Sequence, residues 1–218
     1  MTTKTGIAAI VATALTATPA YADFYDAANL PPNKDWQIQT NLRLGEDVGI
    51  TVVPKYIRDD GFVTILAVGE TSGMIDAPGF GIGYRAEIHG NGNTLSILPM
   101  IQGAISTEAV TGVPTVYVTE ETGKWTIDAR AQVPISFSYR GNTALNAVVT
   151  GMTVGYQVTE QLRIGPDAEG NLLLPETMSY GLLMRYDLAE NGKQWTELHL
   201  ATTAKGSASS TIQYRINF

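Results

Sequence analysis

Apolar and polar side chains alternate along most of this chain, in runs of about ten residues separated by short polar clusters. In residues 36–44, Trp36, Ile38, Leu42 and Leu44 fall on one side, and Gln37, Gln39, Asn41 and Arg43 on the other. That period of two belongs to an extended strand with one apolar and one polar face. Residues 80–89 set Phe80, Ile82, Tyr84, Ala86 and Ile88 against Gly81, Gly83, Arg85, Glu87 and His89. Residues 125–138 set Trp125, Ile127, Ala129, Ala131, Val133, Ile135 and Phe137 against Thr126, Asp128, Arg130, Gln132 and Ser136. The closing stretch "STIQYRINF" keeps the alternation to its last residue. No segment of convincing length carries the helical period of 3.6. Turn clusters divide the chain into twelve predicted strands: 36–44, 48–57, 62–69, 80–89, 94–105, 113–119, 125–138, 143–158, 160–165, 177–188, 194–204 and 209–218. Ten is the alternative count. Residues 62–69 and 94–105 are apolar on both faces, which points to a partly filled interior.

The breaks themselves alternate. RDDG (58–61), HGNGN (89–93), EETG (120–123) and ENGK (190–193) are tight and follow even-numbered strands. The long breaks, GETSGMIDAPG (69–79) and GPDAEGNLLLPE (165–176), follow odd-numbered ones. Short turns at one end and longer loops at the other are a property of up-and-down barrels that cross an outer membrane. Aromatics sort in the same way. Trp36, Tyr56, Phe62, Trp125, Tyr156, Tyr186 and Phe218 fall near the tight-turn end, and Phe80, Phe137, Tyr139 and Tyr180 near the other. Of these, Trp36, Tyr56, Trp125, Tyr156 and Tyr186 are the candidates for an interfacial aromatic girdle. A soluble β-sandwich also alternates. The long apolar stripes, with Arg and Asp or Glu in mid-strand on the opposite face, favour a barrel with a wet or ion-paired lumen.

Composition narrows the setting. The start, "MTTKTGIAAIVATALTATPAYAD", has one basic residue, a short apolar run and Ala20-Tyr21-Ala22. These are the three regions of a secretory signal peptide, and the run is too short to span a bilayer as a helix. The expected organisation is a signal peptide over 1–22, an irregular leader over 23–35 with Pro31-Pro32, and a single barrel domain over 36–218. The chain is acidic, with a net charge of −7, which argues against a nucleic-acid partner. It has no cysteine, so disulfides and thiolate sites are excluded.

The last residues resemble the C-terminal signature of bacterial outer-membrane β-barrel proteins, a terminal Phe preceded by apolar residues at alternate positions: Tyr214, Ile216 and Phe218. The resemblance spans the signal peptide, the strand rhythm and these last nine residues. It implies a transmembrane antiparallel up-and-down β-barrel whose last strand closes on its first. It also implies outer-membrane lipid and the barrel-assembly machinery as partners, with Phe218 read during assembly. In physical terms closure removes the sheet edges, because unpaired backbone is not tolerated in hydrocarbon.

On this map the inward charges are Arg43, Lys55, Arg85, Glu87, Asp128, Arg130, Arg163, Arg185, Asp187, Glu197 and Arg215. Basic residues dominate that set, so small anionic solutes are the expected cargo of a passive channel. In size and lumen charge the barrel is similar to the small monomeric porins that pass acidic oligosaccharides. The alternative is a closed structural or partner-binding barrel in which the same charges pair across the lumen and the outer loops act. Enzyme chemistry has little support. His89 opens a turn, His199 lies two residues from Glu197 in "TELHLAT", and no motif places a serine nearby. Two histidines alone do not make a metal site, and no cofactor is called for. The spaced glycines of "GFGIGYR" run along a strand and do not form a nucleotide-binding turn.

Overall fold

The computed structural model describes residues 35–45, 48–75, 78–90, 93–104, 109–138, 143–145, 147–189 and 193–218. The predicted signal peptide and the leader up to residue 34 lie outside them. The described chain is almost wholly antiparallel strand. In chain order the staves are β1 (Trp36–Leu44), β2 (Gly49–Ile57), β3 (Phe62–Thr71), and β4 (Gly79–Tyr84, resuming as Ala86–His89). Then come β5 (Asn93–Ala104), β6 (Ala109–Thr122), β7 (Trp125–Gln132, resuming as Ile135–Ser138) and β8 (Thr143–Leu145, then Val149–Gln157). The last four are β9 (Leu162–Asn171), β10 (Ser179–Asp187), β11 (Gln194–Thr203) and β12 (Ala208–Asn217). A two-residue strand, Met74–Ile75, pairs with the end of β3.

Each stave pairs with its sequence neighbours, and β12 pairs with β1 from Gln37↔Asn217 to Leu44↔Ser210. The sheet therefore closes on itself as a ring of twelve. Beyond the last ladder pair the Phe218 amide donates to the Trp36 carbonyl at 2.9 Å, so the final aromatic sits at the seam. Following the register once around returns to β1 displaced by about 16 residues, which with twelve strands means a tilt of roughly 40° and a backbone radius of roughly 12 Å. A space that wide is not closed by short side chains alone.

Local sequence explains the turns and the breaks. Gly61 and Gly123 take left-handed backbone (φ 87° and 61°) in the β2–β3 and β6–β7 turns, a conformation costly for residues with a Cβ. The Arg85 amide extends the β3–β4 register by one step, donating to the Gly61 carbonyl (2.8 Å), and β4 then resumes at Ala86. Two predicted strands prove longer than the pattern suggests. β6 runs over Ala109–Thr122, and β9 runs on to Asn171 through the Gly165-Pro166-Asp167 expected to begin a loop. Pro166 points outward and is exposed, a side from which its missing N–H is tolerated.

The alternation comes out inverted relative to a soluble protein. Trp36, Ile38, Ile50, Val52, Leu66, Val68, Ile82, Trp125, Ile127 and Ile212 are exposed, whereas Gln37, Gln39, Asn41, Lys55, Gln132, Glu197 and Arg215 are buried. Burial thus marks the enclosed face, and it is the polar one. β3 departs from that rule: Val63, Ile65 and Ala67 are buried on the enclosed face while Leu66 and Val68 lie outside. Near the short-turn end, exposed Trp36 meets Tyr56 at 4.7 Å between ring centroids, and Trp125 meets Tyr156 at 4.8 Å.

Candidate functional site

The enclosed face divides into two halves of different character. From β12 through β1 to β3 it is filled. Lys55 donates from Nζ to Gln39 Oε1 (2.6 Å), Gln39 donates to Asn41 Oδ1 (2.8 Å), and Gln37 donates to Asn217 Oδ1 (3.0 Å). Arg215 Nη2 donates to Gln213 Oε1 (2.6 Å) and lies 3.7 Å from a Glu197 carboxylate oxygen. Lys55, Gln37, Gln39 and Arg215 are wholly buried, and charges so placed are tolerable only because they are partnered.

From β7 to β10 the charged side chains of the enclosed face keep partial contact with solvent, while Thr126 and Gln132 beside them are buried. Arg130 pairs with Glu169, and Arg185 Nε donates to Asp187 Oδ1 (3.0 Å). His199 Nε2 sits 2.8 Å from Asp167 Oδ2, while Thr153 Oγ1 donates to Asp167 Oδ1 (2.5 Å). Thr119 Oγ1 donates to Asp128 Oδ1 (2.7 Å), and Arg163 Nε donates to Gln157 Oε1 (3.3 Å). Arg163 and Arg185 face one another across the β9–β10 ladder. The two guanidiniums thus share one register position of the wall, where Arg185 is also paired with Asp187.

Glycines explain why these long side chains lie flat. A Cβ at Gly151 would come within 2.8 Å of Arg130 Nε, and one at Gly155 within 2.6 Å of Arg163 Cδ. On β10, Gly181 similarly sits under His199 Nε2, 3.1 Å from where a Cβ would stand. Arg130 and Arg163 therefore occupy the volume that neighbouring side chains would have taken. Both side chains thus pass over a neighbouring glycine of the wall.

Each predicted site residue can now be placed. Arg43, Lys55, Arg85, Glu87, Asp128, Arg130, Arg163, Arg185, Asp187, Glu197 and Arg215 share the enclosed face by strand parity. They are not one cluster: Lys55, Glu197 and Arg215 belong to the filled half, and Arg85 pairs with Glu87 (3.1 Å) after the β4 break. Glu197 and His199 do not form the pair their spacing suggests, because His199 turns to Asp167 and Glu197 to Arg215. His89 rests 3.4 Å from Glu87. The outward aromatics Trp36, Tyr56, Trp125, Tyr156 and Tyr186 all lie at the short-turn end, and Tyr186 donates its hydroxyl to Gln161 Oε1 (2.9 Å). On the outer wall Tyr214 is exposed and Ile216 is less so, both in the seam strand β12.

Three residues of the enclosed face escape the sequence reading. Asp167 and Glu169 are hidden because Gly165-Pro166-Asp167 reads as a turn, yet they sit at even spacing from Arg163. They bring the acidic residues of that face nearly level with the basic ones, where the pattern alone predicts a basic excess. Trp195, which the sequence pattern assigns no role, lies inward and buried, with guanidiniums over its ring from Arg185 (4.6 Å) and Arg215 (5.7 Å). Its even spacing from Glu197 was the available signal.

No protein-family model matches the sequence, and no curated protein does. Solved structures do match the fold. The KdgM porin superimposes with a TM-score of 0.64 at 8% identity, over 84% of this chain and 99% of that one. The same porin solved in complex with disordered oligogalacturonate matches equally well. The NanC porin matches with a TM-score of 0.54 at 8% identity, over 84% and 98% of the two chains. At that identity the likeness is one of architecture. The chain has the transmembrane antiparallel β-barrel fold that these porins share.

Proposed function

We propose that the chain is a small passive channel of the outer membrane, delivered there through a cleaved signal peptide and folded by the barrel-assembly machinery, and that it favours small anionic solutes. The observation that supports this reading is the placement of Arg130 and Arg163 over Gly151 and Gly155, which holds fixed charge against the wall. The preference for anions rests on the facing Arg163 and Arg185, since an aqueous bore carries the field of its fixed charges. A fold shared with a porin solved with an acidic oligosaccharide agrees with that preference. The exposed apolar outer wall suits lipid, and the Trp36–Tyr56 and Trp125–Tyr156 contacts suit an interfacial girdle.

A catalytic role finds no footing at the histidines. Around His199 the order is hydroxyl, carboxylate, imidazole, whereas a nucleophile triad needs the hydroxyl on the imidazole. One observation favours a second reading, a closed barrel acting through its loops: the wholly buried polar cluster of Lys55, Gln37, Gln39 and Arg215. Single-channel recording of the purified barrel in planar bilayers separates the two. Discrete steps with anion preference, reduced by joint Arg163→Gln and Arg185→Gln substitution, are expected of the channel. A folded barrel that stays silent overturns it in favour of the closed one.

A further inference from the structure

Two basic side chains reach β9 from opposite sides. Arg130 on β7 crosses β8 at Gly151 and pairs with Glu169. His199 on β11 crosses β10 at Gly181, where a Cβ would stand 3.1 Å from Nε2, and meets Asp167 Oδ2 at 2.8 Å. Asp167 and Glu169 are two residues apart on the enclosed face of β9, so the four groups form one connected cluster across the five neighbouring strands β7–β11. Asp167 is held from a further side as well. Thr153 Oγ1 on β8 donates to its Oδ1 (2.5 Å), which leaves Oδ2 to the imidazole. The Asp167 side chain is 11% exposed and that of His199 25%, so the imidazole keeps contact with water while its partner is mostly withdrawn from it.

The charge of this cluster turns on one proton. A guanidinium stays charged throughout, whereas imidazole is the side chain whose charge ordinarily changes between about pH 5 and 8. With His199 protonated, two cations balance the two carboxylates. With His199 neutral, the cluster carries one net negative charge midway along β9 and β11, where a partly enclosed site screens it less than bulk water does. On the ladders beside His199 stand the uncharged Leu183 of β10 and Thr211 of β12. The other charged groups near it are Arg185 on β10, Glu197 on its own strand and, across Thr211, Arg43 on β1. Arg185 pairs with Asp187 and Glu197 with Arg215, so the carboxylates that His199 alone can balance are those of β9.

We propose that His199 is a selectivity-determining residue of the bore: its proton cancels the surplus negative charge of the Asp167–Glu169 pair, so that anions are preferred more strongly in acid and less in alkali. This role rests on the channel reading above and adds regulation to it.

The whole barrel, purified from outer membranes, is recorded in planar bilayers under a potassium chloride gradient at about pH 5.5 and about pH 8. The chloride-to-potassium permeability ratio, read from the reversal potential, is expected to be at least about two-fold higher at the lower pH. His199→Gln, or His199→Asn should that barrel not fold, is expected to remove most of the difference. His89→Gln is expected to keep it, because His89 lies beside Glu87 at the short-turn end. Histidine NMR of the His89→Gln barrel in micelles reads the contact without any current. The midpoint of the His199 titration is expected to move when Asp167→Asn is added and to stay when Asp187→Asn is added. A conducting barrel whose ratio ignores pH, or whose response survives loss of His199, overturns the proposal and leaves the channel standing. So does a midpoint that Asp167→Asn does not move. A folded barrel that never conducts overturns the channel reading, and the selectivity role with it, even where NMR upholds the His199–Asp167 contact.

Discussion

Substituting Gly155 with alanine tests whether the arginines set the bore. The new Cβ would stand 2.6 Å from Arg163 Cδ and 2.9 Å from Cγ, both well inside contact distance. Those atoms belong to a flexible side chain on the enclosed face, so the strain is relieved by rotating the arginine off the wall toward the interior. An arginine swung into the bore presents a cross-section of about 25 Å². If the part of the lumen left open beside the filled half is roughly 10 Å wide, its area is about 80 Å², and each displaced arginine removes about a third of it. Gly155→Ala is therefore expected to lower single-channel conductance by about a third. Gly151→Ala acts on Arg130 by the same route (2.8 Å to Nε), and the double variant should lose more than half. Stability should barely change, since alanine is somewhat better than glycine inside a strand and offsets the repacking. The assay is single-channel recording in planar bilayers, with heat-modifiable migration in detergent gels as the check on folding. Unchanged conductance in a folded Gly151→Ala/Gly155→Ala barrel would refute the claim that these arginines bound the open area.

Other outcomes follow from the same geometry. Gly165→Ala should behave in the opposite way: its Cβ would strike the Val154 backbone carbonyl, which has no rotamer to escape by, so the loss appears in denaturant unfolding of the barrel in vesicles. Trp195→Ala removes a buried indole from between Arg185 and Arg215 and should cost about 3–5 kcal/mol in the same assay. Arg130→Leu strands the Glu169 carboxylate and should cost more than Arg130→Leu with Glu169→Leu together, a double-mutant cycle whose coupling vanishes if the pair is water-separated in the membrane.

How far the sequence foretold this molecule varied with the kind of signal each residue carried. Where strands obey period two, as in β1, β7 and β11, pattern and structure agree to within a residue or two. β9 was cut short because Pro166 is a local turn signal, and only the ladder on both sides, with β8 and β10, overrides it. That one boundary hid Asp167 and Glu169 and so distorted the expected charge of the enclosed face. Which enclosed residues meet is a property of stagger. Glu197 and His199 stand two apart on one strand, yet the tilt carries His199 to Asp167 on β9 and leaves Glu197 with Arg215 on β12.

The doubly apolar pattern of residues 62–69 is the most informative departure from the alternation. In a soluble sheet both faces of a strand are apolar when both are covered by protein. Here the outer face of β3 carries exposed Leu66 and Val68, and the inner face carries buried Val63, Ile65 and Ala67. One set is apolar because of what surrounds the barrel, the other because of what fills it. Gly79, Gly81 and Gly83 next door, and Gly151, Gly155 and Gly165 on the far wall, divide in the same way. The first three stand inward beside the apolar β3 wall, whereas Gly151 and Gly155 make room for arginines and Gly165 for the backbone of β8. Twelve strands enclose more space than a side-chain-packed core can use. This chain lines one part of that space with buried apolar side chains and another with a charged wall in which Arg163 and Arg185 stand side by side.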